Sequence, residues 1–129
     1  NDIQNTLDYL SDDGVIIIHD CNPKTAENSV SFAEWEKRGF TGEWNGDVWR
    51  AIVYLRSVRT DITIFVADID QGLGIITKKP ANNNQLLPFK DFEQVKSLAF
   101  NDFDKNRNEW LNLKPVSYLN EYFGLDLKF

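Results

Sequence analysis

The sequence predicts an α/β fold in which one buried parallel strand is followed by an antiparallel hairpin, with helices on the sheet faces and a helical C-terminal tail. Residues Val15–Ile18 form an unbroken run of β-branched side chains, which is typical of a strand buried on both faces of a parallel sheet. Residues 61–67 and 72–77 carry two more strand patterns, and the acidic link between them is too short for a helical crossover. We therefore expect three strands, and the sheet signals end before residue 80.

Helices are predicted where apolar residues recur at helical spacing. An amphipathic helix is expected over residues 2–11, and a short helical stretch over residues 31–37. A further helix follows Asn45 and Asp47, which we expect to cap it and to favour the positive end of its dipole, respectively. The apolar face of this third helix consists of Val48, Ala51, Ile52 and Leu55.

The last third of the chain predicts two terminal helices, with residues 101–113 between them left unassigned. Pro115 introduces the second of these helices and Gly124 ends it. The segment is strongly aromatic, so we expect it to pack on the sheet or on another subunit. Its aromatic residues are Phe89, Phe92, Phe100, Phe103, Trp110, Tyr118, Tyr122, Phe123 and Phe129.

Composition excludes several classes of function. The chain has 129 residues with 14 Lys+Arg against 20 Asp+Glu, and a net charge of −6 without a basic stripe opposes nucleic-acid binding. Its longest apolar run is far too short to span a bilayer, so no membrane partner is expected. A lone Cys21 cannot form an internal disulfide, which fits a cytoplasmic protein. The absence of Met leads us to expect a chain cut from something longer.

Polar residues follow the first strand abruptly, at the sheet edge where open α/β sheets bind ligands. His19 is the only histidine and suits a general base, or else it is a strand-end residue satisfied by the backbone. Asp20 is interpreted as a carboxylate that positions or deprotonates an acceptor hydroxyl, or as the cap of a turn before Pro23. Cys21 lacks a neighbouring base, which favours a structural thiol.

A second polar and aromatic cluster precedes the third helix. Aromatic side chains beside amide, carboxylate and guanidinium groups suit a pocket for a polar, sugar-like acceptor molecule. The alternative interpretation of the cluster is a capped helix start with Trp49 in the core. The cluster consists of Trp44, Asn45, Asp47, Trp49 and Arg50. Asp68 and Asp70 lie in the hairpin turn, where acidic residues favour turn geometry rather than metal binding.

Two segments carry a family resemblance. Residues 10–23, LSDDGVIIIHDCNP, and residues 44–52, WNGDVWRAI, resemble the C-terminal half of a class I S-adenosylmethionine-dependent methyltransferase, closest to the bacterial small-molecule and sugar-modifying branch. The resemblance implies a truncated Rossmann-like fold, with residues 1–79 as the C-terminal half of the domain and residues 80–129 as a linker and helical tail that packs on it. In this family the domain ends with a strand, a helix, a strand and a final antiparallel strand.

The resemblance also implies a function. The chain would be the acceptor-side part of a methyltransferase, inactive as a fragment, because the glycine-rich turn and the acidic residue that bind S-adenosylmethionine are not in it. Gly72-Leu73-Gly74 is no substitute, since it enters a strand. The resemblance to the catechol-type branch implies a further interpretation of Asp20 as a metal ligand, but in that branch Asn directly follows the Asp. Here Cys21 follows Asp20, so no divalent-metal site is assigned.

The site residues follow from these interpretations. We assign His19 and Asp20 to activation or positioning of a small-molecule acceptor. The residues expected to line its pocket are Asn22, Trp44, Asn45, Asp47 and Arg50. The alternative function is a non-catalytic α/β module that assembles into a homo-oligomer through its exposed strand edge or its aromatic tail.

Overall fold

The computed structural model describes residues 2–30, 32–37, 39, 45–80 and 86–129, and has an α/β architecture with a mixed sheet. The strands are β1 (Val15–Ile18), β2 (Thr63–Asp68), β3 (Leu73–Thr77) and β4 (Leu113–Pro115). The helices are α1 (Asp2–Tyr9), α2 (Phe32–Lys37), α3 (Val48–Val58), α4 (Phe92–Lys96), α5 (Phe100–Trp110) and α6 (Tyr118–Phe123), with a 3-10 turn at Glu27–Ser29. Within these residues, every helix is too short or too polar to cross a membrane.

The sheet has the strand order β1-β3-β2-β4. Strand β3 pairs antiparallel with β1 on one side and with β2 on the other, so β1 and β2 run parallel with β3 between them. The antiparallel hairpin of β2 and β3 is confirmed, with its register running from the pair Thr63 and Thr77 to the pair Ala67 and Leu73.

The two faces of the sheet are covered by different helices. Ile76 belongs to the larger core cluster, which also contains residues of α1, α3 and the tail. Phe65 and Ile75 pack instead with Leu119 of α6 in a smaller cluster. Because cross-strand partners point to the same face, Ile17 of β1 shares the α6 face with its partner Ile75.

Strand β1 is less buried than the sequence predicts. Val15 is 38% exposed and Ile17 is 58% exposed, so burial on both faces is wrong for the described chain. The reason is position: β1 has one strand neighbour, β3, and the cluster around α6 includes no residue of β1. Its apolar side chains therefore continue the core outward to an open edge.

The expectation that the sheet ends before residue 80 is also wrong, because β4 pairs parallel with β2. Three residues are too few to show strand alternation, and Pro115 instead indicates a helix start. Asn112 stabilises the pairing, since its side-chain Nδ2 donates to the Ile64 carbonyl at 2.9 Å and its own carbonyl accepts from Val66 N at 3.4 Å. Proline is tolerated at the end of this strand because β4 lies at the sheet edge.

The start of α3 differs from the prediction in one respect. The N-cap is Asp47, whose side chain makes no capping hydrogen bond, so the expectation that Asn45 caps the helix is wrong. Asn45 is directed away because its backbone N–H donates to the Asn28 carbonyl at 2.7 Å and its side chain bonds to Asp20. The exposed Asp47 carboxylate remains at the positive end of the helix dipole.

Two arginines of α3 attach the tail to this helix. Arg50 Nη1 donates to the carbonyls of Val95 and Leu98, at 3.0 and 2.9 Å, at the C-terminal end of α4. Arg56 Nη1 donates to the Trp110 carbonyl at 3.2 Å, at the end of α5. Burial lowers the pKa of both arginines. A cation is stabilised at these positions because the last carbonyls of a helix lack intrahelical partners.

Two glycines let the β2–β3 hairpin approach the segment after β1. Gly72 has φ +90°, and a Cβ built there would lie 2.4 Å from the Asn22 Cβ. At Gly74 a Cβ would lie 2.7 Å from the Cys21 Sγ. The close approach allows Cys21 N to donate to the Gly72 carbonyl at 3.1 Å. Glycine is therefore required at both positions by space, and at Gly72 also by backbone conformation.

We predict that Gly72→Ala lowers the free energy of unfolding by about 3 kcal/mol, because it combines a left-handed backbone with a collision against Asn22. The matched control is Gly124→Ala, which has φ +65° but no atom within 4 Å of the added Cβ, so only about 1 kcal/mol is expected. Urea denaturation of both variants measures the difference. Equal losses would contradict the close approach.

Candidate functional site

The segment after β1 is held against the hairpin turn. Asn22 N donates to the Gln71 carbonyl at 2.8 Å, which extends the contact between β1 and β3 past the end of the strand. Asp20 has φ +65°, a left-handed conformation that is uncommon outside glycine but is adopted by Asp more often than by most residues. The turn at Asp20 thus separates the exposed His19 from the buried pair Cys21 and Asn22.

The structure brings Asp20 and Asn45 together, although they are far apart in the chain. Asn45 Nδ2 donates to Asp20 Oδ1 at 3.2 Å, joining the end of β1 to the residues before α3. Asn45 is only 3% exposed. The backbone N–H groups of Asn45 and Gly46 both donate to the Asn28 carbonyl, at 2.7 and 3.1 Å. Two predicted site residues therefore lie side by side on a fixed backbone.

Asn22 is held by a residue that the sequence did not single out. Arg107 of α5 donates through Nη1 to Asn22 Oδ1 and to the Pro23 carbonyl, and through Nη2 to Asp104 Oδ1 at 2.6 Å. Its guanidinium carbon lies 4.6 Å from the centre of the Phe103 ring. The available signal was the spacing of Phe103 and Arg107, four residues apart on one helical face.

Two buried amide atoms at this site have no hydrogen-bond partner within the described part of the chain. They are Asn22 Nδ2, a donor, and Asn45 Oδ1, an acceptor. The partners of the opposite amide atoms fix this assignment, because Arg107 needs an acceptor and Asp20 needs a donor. A buried polar atom without a partner costs about 1 to 3 kcal/mol. A water molecule or a ligand hydroxyl has both the donor and the acceptor that these atoms require.

Cys21 is a structural thiol. It is fully buried, and its Sγ donates to the Ile18 carbonyl at 3.3 Å. Burial raises its pKa to about 12, and the nearby Asp20 carboxylate adds to this shift, so the thiolate is absent at neutral pH. The sequence interpretation of this residue is confirmed.

The remaining predicted residues are placed as follows. His19 is exposed at the edge of β1, next to Asp20. Asp47 is exposed at the start of α3, one residue beyond Gly46. The guanidinium of Arg50 bonds to the tail helix and not to Asp20 or Asn45. Trp44 lies outside the described residues, so its assignment to the pocket stays a prediction.

Trp49 belongs to the core. It is fully buried, its ring stacks on Phe103 with centroids 4.4 Å apart, and its Nε1 donates to Ser29 Oγ at 2.9 Å. The Arg50 guanidinium lies 4.3 Å from the centre of the same ring. The core alternative considered for this residue is confirmed.

The hairpin-turn carboxylates behave as turn residues. Asp70 has φ +53°, and the exposed Asp68 pairs with Lys24 at 3.6 Å. Among the described residues, no group of three or more His, Cys, Asp or Glu side chains is arranged to hold a metal ion.

A scan against protein-family models, a search of curated proteins and a search of solved structures each returned no match. The site must therefore be interpreted from its own geometry.

We predict that Arg107→Met lowers the free energy of unfolding by about 2 to 3 kcal/mol, because it leaves Asn22 Oδ1 and the Pro23 carbonyl without their donor. The control is Arg59→Met, which removes a more exposed arginine paired with Asp61 at 2.7 Å and is expected to cost less than about 1 kcal/mol. Denaturant titration measures both values. A loss at Arg107 no larger than at Arg59 would show that the network does not stabilise the site.

The raised pKa of Cys21 predicts alkaline destabilisation. Because the folded-state pKa is about 12 against an ordinary value of 9.0, the folded protein keeps a proton that the unfolded chain releases. Above pH 9, the free energy of unfolding should therefore fall more steeply with pH in the natural chain than in Cys21→Ala. The difference between the two slopes should be about 1.4 kcal/mol per pH unit. The two slopes are compared by denaturation between pH 8 and 11. Parallel slopes would mean that the thiol ionises freely in the folded state.

Proposed function

We propose that this chain is the acceptor-side part of an S-adenosylmethionine-dependent methyltransferase that acts on a small, polar, sugar-like acceptor. The order of β1, α3, β2 and the antiparallel β3 supports the proposal, because it is the order of elements that the family resemblance implies. The position of Asp20, Asn22 and Asn45 at the carboxyl end of β1 agrees with the usual ligand-binding edge of an α/β sheet.

One observation carries the proposal. Asp20 bonds to Asn45, whose Oδ1 has no partner in the described part of the chain, and the second such atom, Nδ2 of Asn22, belongs to a buried residue two positions after Asp20. A carboxylate oxygen accepts a hydrogen bond from a hydroxyl group, and an amide N–H donates to the oxygen of that hydroxyl. An amide oxygen accepts a hydrogen bond from a neighbouring hydroxyl group. Adjacent hydroxyl groups, as on a sugar ring, match this combination of partners.

Each residue then has a role toward the acceptor. Asp20 positions or deprotonates the hydroxyl, and Asn22 and Asn45 bind it and orient it. His19 extends the same edge and receives a proton from the acceptor in the proposed role of a base. Methyl transfer depends chiefly on alignment of donor and acceptor, so a rigidly held set of polar groups is the main requirement.

The described residues do not fit S-adenosylmethionine itself. Gly72 and Gly74 accommodate Cys21 and Asn22 in the hairpin and do not precede a helix, so they offer no phosphate-type or cofactor-type cradle. We therefore assign no cofactor contact to this chain, and the proposed role is limited to the acceptor. No residue is assigned to a divalent metal.

We predict that titration with monosaccharides shifts the side-chain amide resonances of Asn22 and Asn45 in the ¹⁵N spectrum of the 129-residue chain. Glucose, galactose, mannose and glucosamine are suitable probes. Asp20→Asn should abolish saturable binding by removing the carboxylate acceptor. Asp70→Asn is the matched control, because Asp70 also has a left-handed backbone, with φ +53° against +65° for Asp20, and should leave binding unchanged.

Two results would contradict the proposal. The absence of saturable shifts with every sugar would exclude a sugar-like acceptor at this site.

Methyl transfer is tested separately by sequencing the reading frame upstream of the codon for Asn1. A strand, a glycine-rich turn, a helix and an acidic residue about 20 positions on support a methyltransferase. A start codon directly upstream would overturn it.

A second candidate function is homo-oligomeric assembly without catalysis. The observation that favours it is the exposure of Ile17, an isoleucine in a strand at the sheet edge. Edge strands with exposed apolar side chains pair readily with another chain.

A further inference from the structure

The open edge of β1 lacks the protection that edge strands usually have. Strand β1 has one neighbour, β3, in the described part of the chain, which leaves its other edge without a strand partner there. Its sequence is Val-Ile-Ile-Ile, with no charge, proline or glycine to oppose pairing. Val15 and Ile17 are exposed on the α6 face, beside the smaller core cluster. This edge, Val15–Ile18, offers both backbone groups and apolar side chains to an added strand.

Residues 125–129 carry the complementary pattern. Leu125, Leu127 and Phe129 alternate with Asp126 and Lys128, which is the period of a strand with one apolar face. All three apolar side chains are exposed, Leu127 by 50% and Phe129 by 61%. The segment belongs to none of the strands of the described sheet. An apolar strand pattern of this kind is stable only when its apolar face is covered.

The side chain of Asn120 prepares this segment for pairing. Asn120 Nδ2 donates to the Leu127 carbonyl at 2.8 Å, and Leu127 N donates to Asn120 Oδ1 at 2.9 Å. The amide thus bonds to both backbone groups of one residue, as a neighbouring strand does in an antiparallel ladder. In an extended chain the adjacent residues, Asp126 and Lys128, direct their backbone groups to the opposite side. In the extended form, Asn120 therefore holds one edge of the segment and leaves the other edge for a partner strand.

We propose that residues 125–129 of one copy add as an antiparallel strand to the β1 edge of a second copy, and that the exchange is reciprocal. Each chain carries one β1 edge and one such segment, so two copies cover both of these surfaces in a closed pair. Backbone hydrogen bonds supply the affinity and the alternate apolar side chains supply the register, as in other β-augmentation contacts. The inference deepens the assembly candidate and does not depend on methyl transfer.

Charge complementarity sets the direction of the added strand. In an antiparallel arrangement with Leu127 opposite Ile17, Lys128 lies toward the acidic pair Asp12 and Asp13, which precedes β1. Asp126 then lies toward His19 at the other end of the strand. A parallel arrangement would instead bring Asp126 toward the acidic pair. Like charges brought together are unfavourable, which selects the antiparallel direction.

The test is the mass of the chain in solution, measured by light scattering over a concentration series. We expect a dimer of twice the 14.9 kDa chain. Ile17→Lys and Leu127→Lys should each give a monomer with an unchanged circular dichroism spectrum, because both side chains are largely exposed. An equimolar mixture of the two variants should regain a dimer, since one Ile17 edge and one Leu127 segment remain intact. Tyr9→Lys, on the exposed side of α1, should remain a dimer.

The direction of the strand has its own test. Lys128→Glu should weaken the dimer at least tenfold in 50 mM salt, and Asp13→Lys combined with it should restore association. Failure of the double variant to recover would overturn the antiparallel direction. A monomeric natural chain would overturn assembly altogether. A dimer that survives both Ile17→Lys and Leu127→Lys would overturn the proposed interface between β1 and residues 125–129. Assembly would then have to use the aromatic tail.

Discussion

Hydrogen bonds from arginine side chains to main-chain carbonyls hold the tail of this protein to α3 and to the segment that follows β1. Arg50 and Arg56 extend from α3 to the ends of α4 and α5, and Arg107 extends from α5 to the residues after β1. Each guanidinium donates to main-chain carbonyls at or beyond the end of a helix or strand, where burial makes an unpaired carbonyl costly. The aromatic contact of Trp49 with Phe103 fills the space between these bonds. Removal of the tail would leave the arginines of α3 without acceptors.

The same constraint defines the candidate site. Asn22 is enclosed between Gly72 on the hairpin and Arg107 on α5, so the turn that begins at Asp20 has little freedom to move. Asn45 is fixed in turn by its bonds to Asn28 and Asp20. Polar groups held in this way are pre-organised, and a ligand that replaces a buried water need not pay for ordering them. Rigidity here comes from parts of the chain that are distant in sequence.

Features that depend on residues close together in the chain were predicted from the sequence, and features that depend on distant residues were not. The hairpin and most helices were predicted because their signals lie within a few residues, as in the acidic turn around Asp70. Strand β4 and the exposure of Ile17 were not, since both depend on which strands become neighbours. Asp20 and Asn45 were both selected by residue type, and the fold places them in contact. The role of Arg107 was missed because a single arginine in a polar helix resembles a solvated one.

The parallel pairing of β2 with β4 has a consequence for synthesis of the protein. Val66 pairs with Leu113, which comes much later in the chain, so the sheet is incomplete until β4 has left the ribosome. Contacts of such long range close late and slow folding. Until then one side of the hairpin remains without its neighbour, in a cell crowded with other nascent chains. A pause in translation after residue 80 would prolong that exposed intermediate and favour its capture by chaperones.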